Sequence, residues 1–85
     1  MDTIANQVYQ HLRDRASFNK LEGVIVLPTQ AQTSKVLTNL HPDEIDFAYQ
    51  ELLQNGIIES YSEYQYVPAL QFQLTNRLEK LMGLR

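Results

Sequence analysis

Leu40-His41-Pro42-Asp43-Glu44-Ile45-Asp46-Phe47-Ala48-Tyr49-Gln50-Glu51-Leu52-Leu53-Gln54-Asn55-Gly56-Ile57-Ile58 is the stretch on which the fold turns. Pro42 suits the first position of a helix, where its missing N–H would have no partner in any case. Asp43 and Glu44 fall in the first turn, the end that the helix dipole makes positive. Ile45, Ala48, Tyr49 and Leu52 recur at helical spacing and predict a buried stripe. Asn55-Gly56 reads as a left-handed stop. Asn39, Leu40 and His41 form the turn before it, with His41 as a turn or cap residue.

Upstream, Thr29 with Gln32 three residues on is a capping-box pattern, so a helix is expected to begin at Gln30. Thr33, Val36, Leu37 and Leu40 define its apolar face. Gly23-Val24-Ile25-Val26-Leu27-Pro28 is β-branched and bounded by glycine and proline, which predicts a short strand. A first helix, capped by Asp2 or Thr3, carries Ile4, Val8 and Leu12 with Ala5, Tyr9 and Ala16 alongside, and is expected to stop around Ser17 to Asn19. Arg13 and Arg15 sit near its C-terminal end.

Downstream, Ile57 to Tyr61 reads as a strand and Val67-Pro68-Ala69 as a break. Leu70, Phe72 and Leu74 alternate with Gln71 and Gln73, the period of a half-buried strand. Thr75 then caps a final helix with Leu78, Leu81 and Met82. The expectation is a single α+β domain spanning residues 1–85.

The composition narrows what such a domain can do. Eighty-five residues support one modest core. The net charge of −3 gives no general attraction to nucleic acid or acidic membranes. Absence of cysteine removes disulfides and thiolate metal sites. The N-terminus lacks the basic and apolar regions of a signal peptide, and the longest apolar run, Val24 to Leu27, is too short to span a bilayer. A soluble, cytoplasmic protein is expected.

Enzymatic chemistry finds little to work with. His11 and His41 lie on different elements without a third ligand at metal spacing. There is no phosphate-binding glycine loop and no nucleophile elbow. Asp43, Glu44 and Asp46 could be mistaken for a metal cluster, but helix N-terminal acids and a solvated position account for them. No cofactor and no small-molecule substrate is expected.

Leu27-Pro28-Thr29 followed by the stretch from Leu40 to Ile58 resembles the winged-helix domains of bacterial transcription regulators. The likeness is nearest to the GntR type, whose helix-turn-helix ends in Leu-x-x-x-Gly-Leu-Ile; Leu52, Gly56, Ile57 and Ile58 match that ending. Phe72-Gln73-Leu74-Thr75 is similar to the return strand of the wing in MarR and PadR types. The resemblance covers about residues 27 to 75 and implies three helices, a helix-turn-helix from Thr29 to Gly56, a β-hairpin wing from Ile57 to Thr75, a short strand after the first helix and a C-terminal helix. It implies a DNA-binding transcription regulator, acting as a dimer.

The charge pattern departs from that implication. Between Val36 and Asn76 there is no lysine or arginine, while Asp43, Glu44, Asp46, Glu51, Glu59 and Glu63 all fall there. Duplex DNA is held by cations that displace its counterions. The positions that carry Ser, Thr and Arg in the family are here His41, Pro42, Asp43, Glu44 and Asp46. The wing tip carries Glu63-Tyr64-Gln65-Tyr66 instead of glycine and arginine.

Two functions follow. The first is a protein-interaction module, contacting a protein partner or a second copy through Asp43, Glu44, Asp46 and Gln50 on the third helix and through Tyr61, Tyr64 and Tyr66 on the wing. Tyrosine gives large contact area at small entropy cost. Strand alternation leaves Tyr64 and Tyr66 open between core and contact and puts Tyr61 on the other face. The second is a DNA-binding regulator with Arg13, Arg15, Lys20 and Lys35 on phosphates and His41, Gln50 and Gln54 near bases. Those four cations read more simply as solvated residues balancing nearby acids. The apolar C-terminal positions, with Leu84, fit either the monomer core or a homodimer seam. The charge distribution favours the protein partner.

Overall fold

The computed structural model describes residues 3–63 and 65–69. Among the described residues three helices and two small antiparallel hairpins make a mixed α+β fold: α1 (Thr3–Arg15), β1 (Ser17–Asn19), β2 (Val24–Val26), α2 (Gln30–Val36), α3 (Pro42–Gln54), β3 (Ile58–Ser62) and β4 (Gln65–Pro68). Asp2, Tyr64, the alternating segment at Phe72–Thr75 and the expected C-terminal helix with Leu78, Leu81, Met82 and Leu84 lie outside the described residues.

α3 forms where its sequence signals put it, and both ends are closed by hydrogen bonds. The Asp43 N–H donates to Nδ1 of His41 at 3.1 Å, and the His41 N–H donates to Oε1 of Glu44 at 2.9 Å. Histidine thus takes the place that serine or threonine occupies in the usual capping box. At the other end Gly56 adopts φ +68°. The Ile57 N–H reaches the Leu52 carbonyl at 3.0 Å and the Gly56 N–H the Leu53 carbonyl at 3.1 Å, the paired bonds of a Schellman motif. Ile45, Ala48, Tyr49 and Leu52 are all buried, as their spacing predicts.

α3 packs against α1, α2 and β3. Val8, Leu12, Leu27, Ile45, Tyr49, Leu52 and Ile58 form the sealed centre of the core. Full burial of such side chains contributes about 1.5–3 kcal/mol each against exposure, as an upper estimate. Between helices and strands the Tyr49 hydroxyl donates to the Pro28 carbonyl at 2.7 Å.

α2 starts as expected, with the Thr29 and Gln32 capping box in place. Its apolar face differs from the expectation. The helix ends at Val36, which is 48% exposed, and Leu37 is the C-cap with φ −88°, ψ 68°. Leaving the helix there turns Leu37 and Leu40 onto the core from the connection, so the i+3 and i+4 spacing no longer decides what is buried.

Two strand assignments also change. The residues expected to end the first helix, Ser17–Asn19, instead form β1, paired with β2 through Phe18 opposite Ile25. The turn makes this possible: Oδ1 of Asn19 accepts the N–H groups of Leu21 and Glu22 at 3.0 and 3.2 Å, and Gly23 closes it at φ +70°. In the second hairpin β3 pairs with Gln65–Pro68, a strand that runs into Val67 and Pro68 of the stretch read as a break. Pro68 is the last residue of β4, where a missing N–H costs least, and the ladder resumes with the Ala69 N–H on the Ile57 carbonyl at 2.9 Å. Among the described residues the paired strands run from Ile58 to Pro68, and the rest of the expected Ile57–Thr75 wing lies outside them. An antiparallel bridge from the Leu27 N–H to the Tyr66 carbonyl, 2.9 Å, ties the two hairpins together.

Candidate functional site

The outward face of α3 follows directly from its inward one. With Ile45, Ala48, Tyr49 and Leu52 turned to the core, residues about half a turn away face solvent. Asp43, Phe47, Gln50 and Gln54 share that line and all are exposed, with exposed Asp46 on one flank and half-buried Glu44 and Glu51 on the other. Phe47 is 77% exposed. Its helical neighbours at three and four residues are Asp43, Glu44, Gln50 and Glu51, so an aromatic ring stands among three carboxylates and an amide.

Beside this face a cleft of about 550 Å³ runs between α3 and the start of α1, lined by Ile4, Glu44, Phe47, Ala48, Gln50, Glu51 and Gln54. Ile4, Phe47 and Ala48 give it an apolar wall. Oε2 of Glu51 is sealed from solvent and has no hydrogen-bond partner among the described residues. Leaving such an acceptor unmet is costly, so buried oxygens of this kind are uncommon.

The tyrosines divide. Tyr66 is half-buried, its ring edge-on to Tyr49 with centroids 5.2 Å apart, and its hydroxyl accepts from Nε2 of Gln30 at 2.8 Å. Tyr61 is 44% exposed and is the extra residue of a β-bulge between Ser60 and Ser62. The Glu22 carboxylate beside its hydroxyl holds the Tyr61 pKa above the ordinary phenol value. Tyr64 lies outside the described residues.

The residues considered for DNA are scattered. The Arg13 guanidinium lies 5.3 Å from the centre of the Tyr9 ring and donates to Gln10 at 3.4 Å. Arg15 lines a crevice with His11, Val26, Gln32 and Val36, which brings it against α2. Lys20 is in the β1–β2 turn and Lys35 in the last turn of α2, both exposed. His41 is committed to its cap, while Gln50 and Gln54 stand on the face around Phe47.

Phe47 escaped the sequence reading, although its signal was available: it lies on the side of α3 opposite the buried stripe. His11 was weighed only as a metal ligand, and its burial was not anticipated. It is 9% exposed, and burial, with the positive charge of Arg15 second, lowers its pKa.

Among the described residues no three His, Asp or Glu side chains converge as a metal site, and no helix is long and apolar enough to cross a membrane. Comparison with protein-family models, curated proteins and solved structures finds no match for the chain.

Proposed function

We propose that the chain is a non-enzymatic winged-helix module that binds a protein partner through the outward face of α3, with Tyr61 on the neighbouring hairpin adding to the contact. The winged-helix reading is supported by the order helix, hairpin, helix, helix, hairpin and by the bridge that joins Leu27 to the second hairpin's return strand. The observation that carries the protein-binding reading is Phe47. A ring 77% exposed among Asp43, Glu44 and Glu51 suits a desolvated protein contact, where aromatic side chains supply most of the energy. The same face turned toward DNA would set carboxylates against phosphates without a cation to offset them.

A second reading, a DNA-binding regulator, draws support from the crevice that brings Arg15 against Gln32 and Val36 of α2, the helix that carries Lys35. Fluorescence anisotropy against mixed-sequence duplex DNA, at low and at physiological salt, separates the two. No binding even at low salt is the expected result. Micromolar binding that collapses as salt rises would put the DNA reading ahead.

A further inference from the structure

The cleft beside Phe47 restricts the partner more than the exposed face does. Resting on the reading that this face of α3 binds a protein, we propose that the cleft takes a basic amphipathic helix of a partner protein. An apolar stripe of that helix would lie on Ile4, Phe47 and Ala48, and its lysine or arginine side chains would meet Glu44 and Glu51.

Three observations select that chemistry. The cleft combines an apolar wall with a rim of two carboxylates and the amides of Gln50 and Gln54, which repels an acidic segment and favours a basic one over a neutral one. Oε2 of Glu51 has no donor among the described residues, so a half-buried side chain that swings outward to an incoming ammonium or guanidinium gives up no hydrogen bond there. The exposed line from Asp43 to Gln54 runs about 16 Å at 1.5 Å per residue, three turns, the length over which helix-in-groove recognition places its anchors.

A second copy is a poorer occupant. Pairing α3 with α3 opposes carboxylates, and the described cations of a second copy lie on α1, on α2 and in the β1–β2 turn. The chain's own Arg77, Lys80 and Arg85, with Leu78, Leu81 and Met82 among them, share the required chemistry and are a rival for the test to exclude.

The probe is a fluorescein-labelled helical peptide with leucines at i, i+3, i+4 and i+7 flanked by lysines, titrated with the isotope-labelled full chain. Its control has glutamate for every lysine. The lysine peptide should bind at least about tenfold more tightly than the control, with the largest chemical-shift changes at Ile4, Phe47 and Ala48. Phe47→Ala should weaken it by about tenfold or more, and because the ring is exposed the fold survives the change. Glu51→Lys should abolish the preference for the lysine peptide.

Equal affinity for both peptides, shifts mapped elsewhere, or indifference to Phe47→Ala would overturn the proposal. So would a gain of tenfold or more in peptide affinity on replacing Arg77 and Lys80 with glutamate, which would show the chain's own segment filling the cleft. Failure of both peptides in a protein that also ignores duplex DNA removes this inference and leaves the protein-contact reading standing. Duplex binding that Glu51→Lys strengthens removes the reading itself.

Discussion

Thr33 and Tyr49 share a buried hydrogen bond of 2.8 Å between their hydroxyls, joining α2 to α3. The single phenolic proton of Tyr49 goes to the Pro28 carbonyl at 2.7 Å, so Thr33 must be the donor to the Tyr49 oxygen. Both side chains are fully buried, and their bonds hold α2, α3 and the Pro28 turn together. Tyr49→Phe should cost about 1–3 kcal/mol, because it strands the Thr33 hydroxyl as well as the Pro28 carbonyl. Thr33→Val should cost less, and the double variant less than the sum. Urea denaturation of the four proteins checks this.

The same tyrosine sets an alkaline limit. Burial above all, against the opposing effect of the Thr33 bond, raises the Tyr49 pKa well beyond the ordinary 10. Folding therefore favours the neutral phenol. Its contribution is complete below the unfolded pKa and is lost as pH rises past it, so the melting temperature should fall above pH 10, and less so in Tyr49→Phe.

His11 sets an acid limit by the same logic with opposite sign. Its folded pKa lies below the ordinary 6.5, so the unfolded chain binds the proton first. The stability that neutral His11 contributes is complete above pH 6.5 and is lost as pH falls through the folded value. The melting temperature of the natural protein should drop between pH 7.5 and 5.5 by more than that of His11→Gln. Equal drops would show that carboxylates alone account for acid sensitivity.

Gly56→Ala isolates a backbone cost. A methyl group there would meet nothing within 4 Å, so packing is not disturbed. The left-handed φ of +68° remains, and a side chain in that region costs about 1–2 kcal/mol. The loss should appear in the denaturation midpoint with an unchanged m-value.

Adding cations to α3 tests the electrostatic argument from the other direction. Asp43 and Glu44 are poor positions for this, because Glu44 caps the His41 N–H and both acids complement the helix start. Asp46→Lys with Gln50→Lys avoids the cap. If phosphate repulsion is what keeps DNA away, the double variant should gain duplex binding whose logarithm falls with log salt at a slope of about −1.8, two phosphate contacts' worth. No gain would mean that shape, and not charge, excludes the duplex.

How much of this was legible depended on how local the cause is. The capping box at Thr29, the Pro42 start and the Gly56 stop are decided within one turn of chain, and all three stand as read. The end of α2 was not, because Leu37 and Leu40 are held by long-range packing that periodicity does not encode. β1 and β4 were missed for a related reason: three or four residues are too few for alternation to register, and their partners decide them. At the candidate site the acidic residues were visible as composition. The cleft was not, since it needs Ile4 brought from the far end of the chain against α3. Tyr66 shows the limit of counting side chains, for only the Tyr49 ring and the Gln30 amide reveal that it is engaged internally.

Only Asn55, Gly56 and Ile57 separate α3 from β3, and Gly56 and Ile57 are bonded back to the helix. Those bonds fix the direction in which the hairpin leaves the end of the helix at Leu52 and Leu53. A molecule that grips Phe47 and Tyr61 together would therefore find their spacing already set, and would give up little of its affinity to arresting one against the other.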